Sequence, residues 1–448
     1  MLNTFFDYSM KFFADFHIHS KYSRATSRDM DLENLDKWAK IKGVNLLGSG
    51  DFTHPLWFRE LKTKLEPAEP GLFKLRQNSK IKNSNGWHLP NGNGGVADLR
   101  YILTTEISCI YSKKNRTRKI HLMIFVPSFE AVEKINAHLG WLGNLKADGR
   151  PILGLDAKEL AKIALNISPE AILVPAHAWT PHFSIFGSVS GFNTIEECFD
   201  DYAKYIFAIE TGLSSNPEMN WRLSRLDKIT LISNSDSHSP SRIGREANIF
   251  EGKIEGFRQI AEALRLGARA PKTIANRLVE TIEFFPEEGK YHYDGHRNCK
   301  IVFSPEESKK HKNRCPVCGR PLTIGVMNRV EELADRAVGF KPEKAIPFRS
   351  LIPLEEIIGE AIDLGVGTKG VEKEYKELIN KFGNEFKIML EVSEAELSHA
   401  ASPEIAQAIQ RVREGKVKIE PGYDGEYGKI KIFEEEERKS FSKQASLL

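Results

Sequence analysis

Short apolar runs recur along the first half of the chain, each the length of one strand and each closing on polar residues. They read FFADFHIHS (12–20), VNLLGSGDFTH (44–54), YILTTEIS (101–108), KIHLMIFVP (119–127), AILVPAHAW (171–179), IFAIETG (206–212) and ITLISNSDSH (229–238). Helical spacing appears between them. Leu32, Leu35 and Trp38 share a face in LENLDKWAKIKG, which stops at Gly43. Val132, Ile135 and Leu139 do so after Ser128, and residues 254–266 form a third such stretch, ended by Gly267. Strand-length runs alternating with amphipathic helices predict a parallel α/β architecture over residues 1–280.

The pattern breaks in three places. Residues 74–98 are rich in Asn, Gly and Lys, which predicts a surface loop inserted into the first domain. Residues 281–345 are short-period, aromatic and cysteine-bearing and predict a small separate module. From 346 to 436 helices dominate: LEEIIGEAI, VEKEYKELINKF and PEIAQAIQRVREG, followed by a β-ribbon turning near Gly422–Gly428. The polar tail 437–448 is expected to be disordered.

Composition adds little. The chain has 448 residues, 41% hydrophobic and 28% charged, with a net charge of +3. That size predicts two or three domains. No apolar run approaches the ~20 residues of a membrane span, and the N-terminus has no signal-peptide pattern, so a cytoplasmic protein with no membrane partner is expected. Five cysteines are too few for a disulfide framework. Cys109 and Cys198 stand alone and are expected in the core.

The chemistry gathers at the ends of the apolar runs. In an α/β barrel those ends form the active-site face. His17-Ile18-His19 places two imidazoles on one side of a strand, since alternate strand residues face the same way. Asp51, His54, Glu106, His177, Asp236 and His238 lie at or just past later run ends, whereas His121 sits early in its run. Nine N/O ligands exceed the about four that one Zn²⁺ takes, so two or three divalent ions (Zn, Mn, Mg or Fe) are expected. Glu106, the one carboxylate mid-barrel, is the natural bridge between them. Clustered divalent ions suit phosphoryl chemistry. Asp236, Glu106 and His238 are the expected catalytic residues.

This ligand order resembles the polymerase and histidinol phosphatase (PHP) superfamily of metal-dependent phosphoesterases. One departure concerns His54: the superfamily usually has that histidine directly after the aspartate, whereas Phe52 and Thr53 intervene here. The resemblance implies a distorted (β/α)7 barrel, matching the seven runs. More narrowly, FADFHIHSKYSRATS, GSGDFTHPLWFRELK, GNLKADGRPILGLD, PAHAWTPHFSIFG, NSDSHSPSRIGREAN and CPVCGRPLTIGV resemble the endonuclease Q family. That resemblance implies a DNA-repair endonuclease with a PHP barrel, a zinc module and a helical C-terminal domain. It implies nicking on the 5′ side of uracil, hypoxanthine, xanthine or abasic sites. A small-molecule phosphatase and a non-catalytic nucleic-acid-binding protein are the alternatives.

Cys315-Pro-Val-Cys318-Gly is a zinc-knuckle sequence. Cys299 is the expected third ligand and His296 the fourth, with His292 and His311 as alternatives, giving one structural zinc. An enzyme that inspects bases flips them out of the duplex. Trp179, His182, Phe183 and Phe186, in the loop after the fifth run, are candidate base contacts, or equally a hydrophobic lid. Arg24 is a candidate phosphate contact. GVGTKG (365–370) loosely resembles a helix-hairpin phosphate loop. Gln444 and Leu447 resemble the start of a sliding-clamp-binding motif that lacks its aromatic anchors, so weak or no clamp binding is expected.

Overall fold

The fold is described from a computed structural model covering residues 10–79, 99–434 and 437. The expected insertion is covered only at its start, where Phe73–Leu75 is a strand and Gln77–Ser79 a 3₁₀ turn. Residues 80–98 and the clamp-like tail lie outside the described residues.

The seven apolar runs supply seven ring strands: β1 (Lys11–Asp15), β2 (Leu46–Gly48), β3 (Arg100–Lys113), β4 (Arg116–Val126), β5 (Ile172–Pro175), β6 (Ala208–Glu210) and β7 (Thr230–Ile232). β1, β2 and β3 pair in parallel, as do β6 and β7. Ala178 N–H donates to Glu210 O (2.9 Å), joining the β5 end to β6. The ring closes beyond β7, where Ile18 and Ser237 form a bridge and Asn234 Oδ1 accepts from Phe16 N–H (2.9 Å). One apolar cluster draws on every ring strand: Phe12, Ala14, Leu46, Ile102, Met123, Phe125, Ile172, Val174, Ala208 and Ile232. Their neighbours Leu47, Leu103, Ile124, Leu173 and Ile209 belong to a second cluster shared with the outer helices. The period of two separates barrel interior from helix layer.

One ring strand departs from the expected parallel arrangement. β4 runs antiparallel to both β3 and β5 because β3 and β4 form a hairpin through Lys114 and Asn115, both at positive φ. A two-residue turn can join only antiparallel strands. Two further strands, β8 (Ala247–Gly252) and β9 (Asn276–Glu283), extend the sheet antiparallel from β1. β9 runs across the boundary expected at 280.

Fourteen helices are described. The barrel carries α1 (Leu32–Lys42), α2 (Pro55–Lys64), α3 (Phe129–Leu142), α4 (Ala157–Ile167), α5 (Ile195–Phe199), α6 (Pro217–Trp221) and α7 (Phe257–Leu266). α8 (Pro305–Lys310) and α9 (Val326–Leu333) belong to the cysteine-bearing module. The C-terminal part holds α10 (Leu354–Ala361), α11 (Lys369–Phe382), α12 (Glu385–Leu390), α13 (Glu394–Ser398) and α14 (Pro403–Arg413). The ribbon pairs Lys418–Glu420 with Lys429–Lys431, on either side of the expected turn. Among the described residues no helix is long and apolar enough to cross a membrane.

Candidate metal centre and catalytic site

His17 and His19 leave β1 side by side and are held by the same device. His17 Nδ1 lies 3.0 Å from Glu210 Oε1, and His19 Nδ1 lies 3.0 Å from Asp51 Oδ1. Each carboxylate accepts from Nδ1–H and so turns Nε2 inward, the atom that a cation would displace a proton from. Both Nε2 atoms and Asp236 Oδ1 are buried outside any well-aligned hydrogen bond, with His19 Nε2 3.1 Å from Asp236 Oδ1. A buried polar atom left unpaired is costly. Three of them converging is the signature of a ligand set. His17, His19 and Asp236 offer ligand atoms within 4.8 Å of one another.

A second group stands beside it. Glu106, His121 and His177 likewise place their ligand atoms within 4.8 Å. Glu106 faces both groups. Its Oε1 lies 2.7 Å from His121 Nδ1 and 3.1 Å from His177 Nε2. Its Oε2 lies 3.5 Å from His17 Nε2 and 3.3 Å from His19 Nε2. Two groups sharing one carboxylate match the donor chemistry of a two-cation site: imidazole and carboxylate suit Zn, Mn and Fe. His121 reaches this face because β4 is reversed, which puts the start of that strand where the others end.

Strain marks the same positions. Asp51 (φ 46°), His177 (φ 29°) and Asp236 (φ 45°) have left-handed backbone without being glycine. Each such residue costs on the order of 1–3 kcal/mol, and such residues cluster at functional sites.

Charge is concentrated and balanced here. Burial pulls the His17 and His19 imidazoles down, but Glu210, Glu106 and Asp236 around the first and Asp51 and Asp236 around the second hold both well above the ordinary value. Burial opposes ionisation of Glu106, yet His121, Arg150 and His17 hold it well below the usual carboxylate range. His121 is pushed down to about 4, chiefly by burial. His238 is also lowered by burial; its Nδ1–H donates to Asp236 O (2.9 Å), so Nε2 carries the free lone pair. Its ring lies 4.5 Å from that of His19.

Other expected residues are placed differently. Asp51 is fully buried and accepts from Ser20 N–H, Ser20 Oγ and Ser23 Oγ as well as meeting His19, so it orients that imidazole. His54 joins neither ligand group: it stacks on Tyr22 (4.5 Å) and bonds the Lys146 backbone. It stands instead at the N-cap of α2, which begins at Pro55. Trp179 and Phe186 are core residues, which corrects their expected role as base contacts. They are buried against each other at 4.9 Å, with Trp179 Nε1–H donating to Asn220 Oδ1. Phe183 does face the site, 4.8 Å from His121. His182 is exposed and lines a groove of about 910 Å³ with Arg245, Tyr291, Ile352 and Tyr427. Thr180 joins groove to site, its Oγ1 3.1 Å from His177 Nδ1. Arg24 has a side chain 76% exposed and pairs with Asp148 at 3.3 Å.

Two residues escaped sequence reasoning. Glu210 closes the sixth run, and counting it with the other run ends would have found it. Arg150, whose Nη1 donates to Glu106 Oε2 (3.0 Å), arrives on a loop with no local signal.

The cysteine-bearing module forms one ligand group. His296, Cys299, Cys315 and Cys318 lie with ligand atoms within 4.8 Å, on the hairpin Asp294–Phe303 and the knuckle after α8. His296 Nδ1 is 3.8 Å from Cys318 Sγ. Of the alternatives, His292 is buried elsewhere and His311 stacks on Phe303.

Comparison with known proteins places this geometry. The crystal structure of the lesion-specific endonuclease PfuEndoQ from Pyrococcus furiosus superposes with a TM-score of 0.80 and 30% identity, covering 95% of this chain and 96% of that one. The chain belongs to the endonuclease Q family. A second endonuclease Q structure, in complex with a 27-mer duplex substrate bearing an abasic lesion at its active site, matches at TM-score 0.78 and 29% identity over 95% of this chain and 98% of that one. The family described as the MJ0043 C-terminal domain matches residues 353–416 of this chain. Protein MJ0043 of Methanocaldococcus jannaschii is 36% identical over 261 residues, 57% of this chain; the chain spans 31% of that protein's length.

Proposed function

We propose that this chain hydrolyses DNA at damaged nucleotides, cutting the phosphodiester on the 5′ side of deaminated bases or abasic sites. The observation that carries this reading is the pair of three-ligand groups sharing Glu106 at the mouth of the barrel. Membership of a family whose solved member is lesion-specific supports the substrate class. The groove lined by barrel, cysteine module and helical domain supports a macromolecular substrate.

The chain's own residues have distinct parts in it. His17, His19 and Asp236 would hold one cation; Glu106, His121 and His177 would hold a second. Cations bound there supply an activated water and neutralise phosphate charge. Glu210 and Asp51 fix the imidazole tautomers. His238, neutral with a free Nε2, serves as an edge ligand or base. His182 and Phe183 border the space a displaced nucleotide would take. The Cys₃His group would hold one structural zinc, all its positions being filled by protein.

A gel assay with end-labelled duplexes carrying uracil, hypoxanthine, xanthine or an abasic site, with Mn²⁺ or with EDTA, tests the reading. A nick 5′ to the lesion, leaving 3′-hydroxyl and 5′-phosphate ends, is expected with Mn²⁺ only. Release of free base before scission, or no cleavage of any lesion duplex, overturns it.

A further inference from the structure

Arg150 is a half-buried cation beside the ligands, and its position is built. The loop 143–151 crosses the barrel mouth, tied down by Gly149 N–H donating to Tyr22 O (3.0 Å), Ser108 N–H to Pro151 O (3.0 Å) and the His54 contact to Lys146. Asp148 Oδ1 accepts from both Arg24 N–H and Arg150 N–H (3.2 Å each). Residue 149 must be glycine: a Cβ there would lie 2.3 Å from Asp51 Oδ2 and 2.2 Å from Ser23 Oγ. The loop thus presses onto the ligand layer and delivers the next side chain to Glu106.

That side chain is only partly used. Nη1 donates to Glu106 Oε2 at 3.0 Å, whereas Nε and Nη2 make no hydrogen bond among the described residues. The side chain is 29% exposed at the mouth, while the Glu106 side chain is fully buried. A guanidinium presents five donors in a planar fork suited to phosphate. The oxygen it occupies is also the one that faces His17 and His19. Arg150 and a cation held by that group therefore compete for the same carboxylate oxygen, and two positive charges beside it repel.

We propose that Arg150 is a partner-exchanging phosphate contact: it occupies Glu106 Oε2 in the free protein and moves to a non-bridging oxygen of the DNA phosphodiester when cation and substrate bind. This rests on the function proposed above. It assigns Arg150 both a cost to cation binding and a gain in substrate binding. A merely structural support for Glu106 would have neither.

The test compares wild type, Arg150→Gln and Arg150→Lys, with thermal unfolding confirming that each folds. Calorimetry with Mn²⁺ and protein alone is expected to show Arg150→Gln binding about tenfold tighter, the scale of one charge-assisted bond removed. Steady-state cleavage of an abasic duplex is expected to show a KM about tenfold higher, with Arg150→Lys recovering only part, since an ammonium lacks the fork. Unchanged or weaker Mn²⁺ binding in Arg150→Gln overturns the exchange. Tighter Mn²⁺ binding with an unchanged KM overturns the phosphate contact. Failure of the wild type to cut any lesion duplex would instead sink the proposed function, and the Mn²⁺ measurement would still decide the competition at Glu106.

Discussion

His17 Nδ1 lies 3.0 Å from Glu210 Oε1, joining the end of β1 to the end of β6 across the barrel interior. Glu210 also accepts from His177 N–H (2.7 Å) and Asn234 Nδ2 (2.9 Å), so one buried carboxylate sets three elements of the site. Glu210→Gln is expected to lower Mn²⁺ affinity by about 10–100-fold, the usual effect of losing a ligand's supporting carboxylate. Calorimetry on the folded variant checks this; affinity within threefold of wild type would remove Glu210 from the site.

Asp236→Ala is expected to leave the fold and duplex binding intact. Cleavage should fall below roughly a tenth of the wild-type rate, because a three-ligand group loses one member. Its Oδ1 lies 3.1 Å from His19 Nε2 and 3.6 Å from His17 Nε2, so the replacement removes the carboxylate of that group and leaves both imidazoles, still held through Nδ1 by Asp51 and Glu210. Single-turnover rates at saturating protein decide the matter.

The Cys₃His group should hold zinc independently of the barrel. Cys315→Ser combined with Cys318→Ser is expected to lower zinc content by about one ion per chain. Elemental analysis after dialysis reads the stoichiometry; an unchanged value speaks against a zinc site there.

Lys42 Nζ of α1 lies 2.6 Å from Glu385 Oε2 of α12, and Tyr375 Oη donates to that same oxygen at 2.6 Å. Lys42 is 3% exposed, so the pair is a buried tie between barrel and helical domain. Lys42→Met leaves a buried carboxylate without its countercharge, which costs about 3–5 kcal/mol. Adding Glu385→Gln should recover most of that. Urea denaturation of the two variants tests the pair.

Glu283, between Thr211 and Thr281, is pushed by burial from 4.5 up to about 7. Its folded form favours the neutral acid, while the unfolded chain ionises above 4.5. Its contribution to stability is therefore full at acid pH and is lost as pH rises from 4.5 to 7, staying constant above. Glu283→Gln should flatten that decline, gaining on the order of 3 kcal/mol over wild type at pH 8. Denaturation midpoints at pH 5 and pH 8 provide the check; equal differences at both would refute the assignment.

Much of this protein was legible in its sequence because the informative features are local. The alternation in FFADFHIHS separates interior from helix layer and brings His17 and His19 to one side. Cys315 and Cys318 mark themselves as a candidate ligand pair by spacing alone, since two thiols on one tight turn need no distant partner to be recognised. The seven runs became the seven ring strands. What the tertiary structure decided was direction, burial and long-range pairing. The reversed β4 explains why His121, early in its run, reaches the same face as residues at run ends. Residue type could not show that Trp179 and Phe186 turn into the core while Phe183 faces the site, since all three are aromatic and share one loop. Nor could it show that His54 caps a helix, or that Glu210 and Arg150 meet His17 and Glu106. Those contacts join residues 193 and 44 positions apart in the chain. Separations of that size carry no period and no spacing rule, and only closure of the barrel sets which side chains share its mouth.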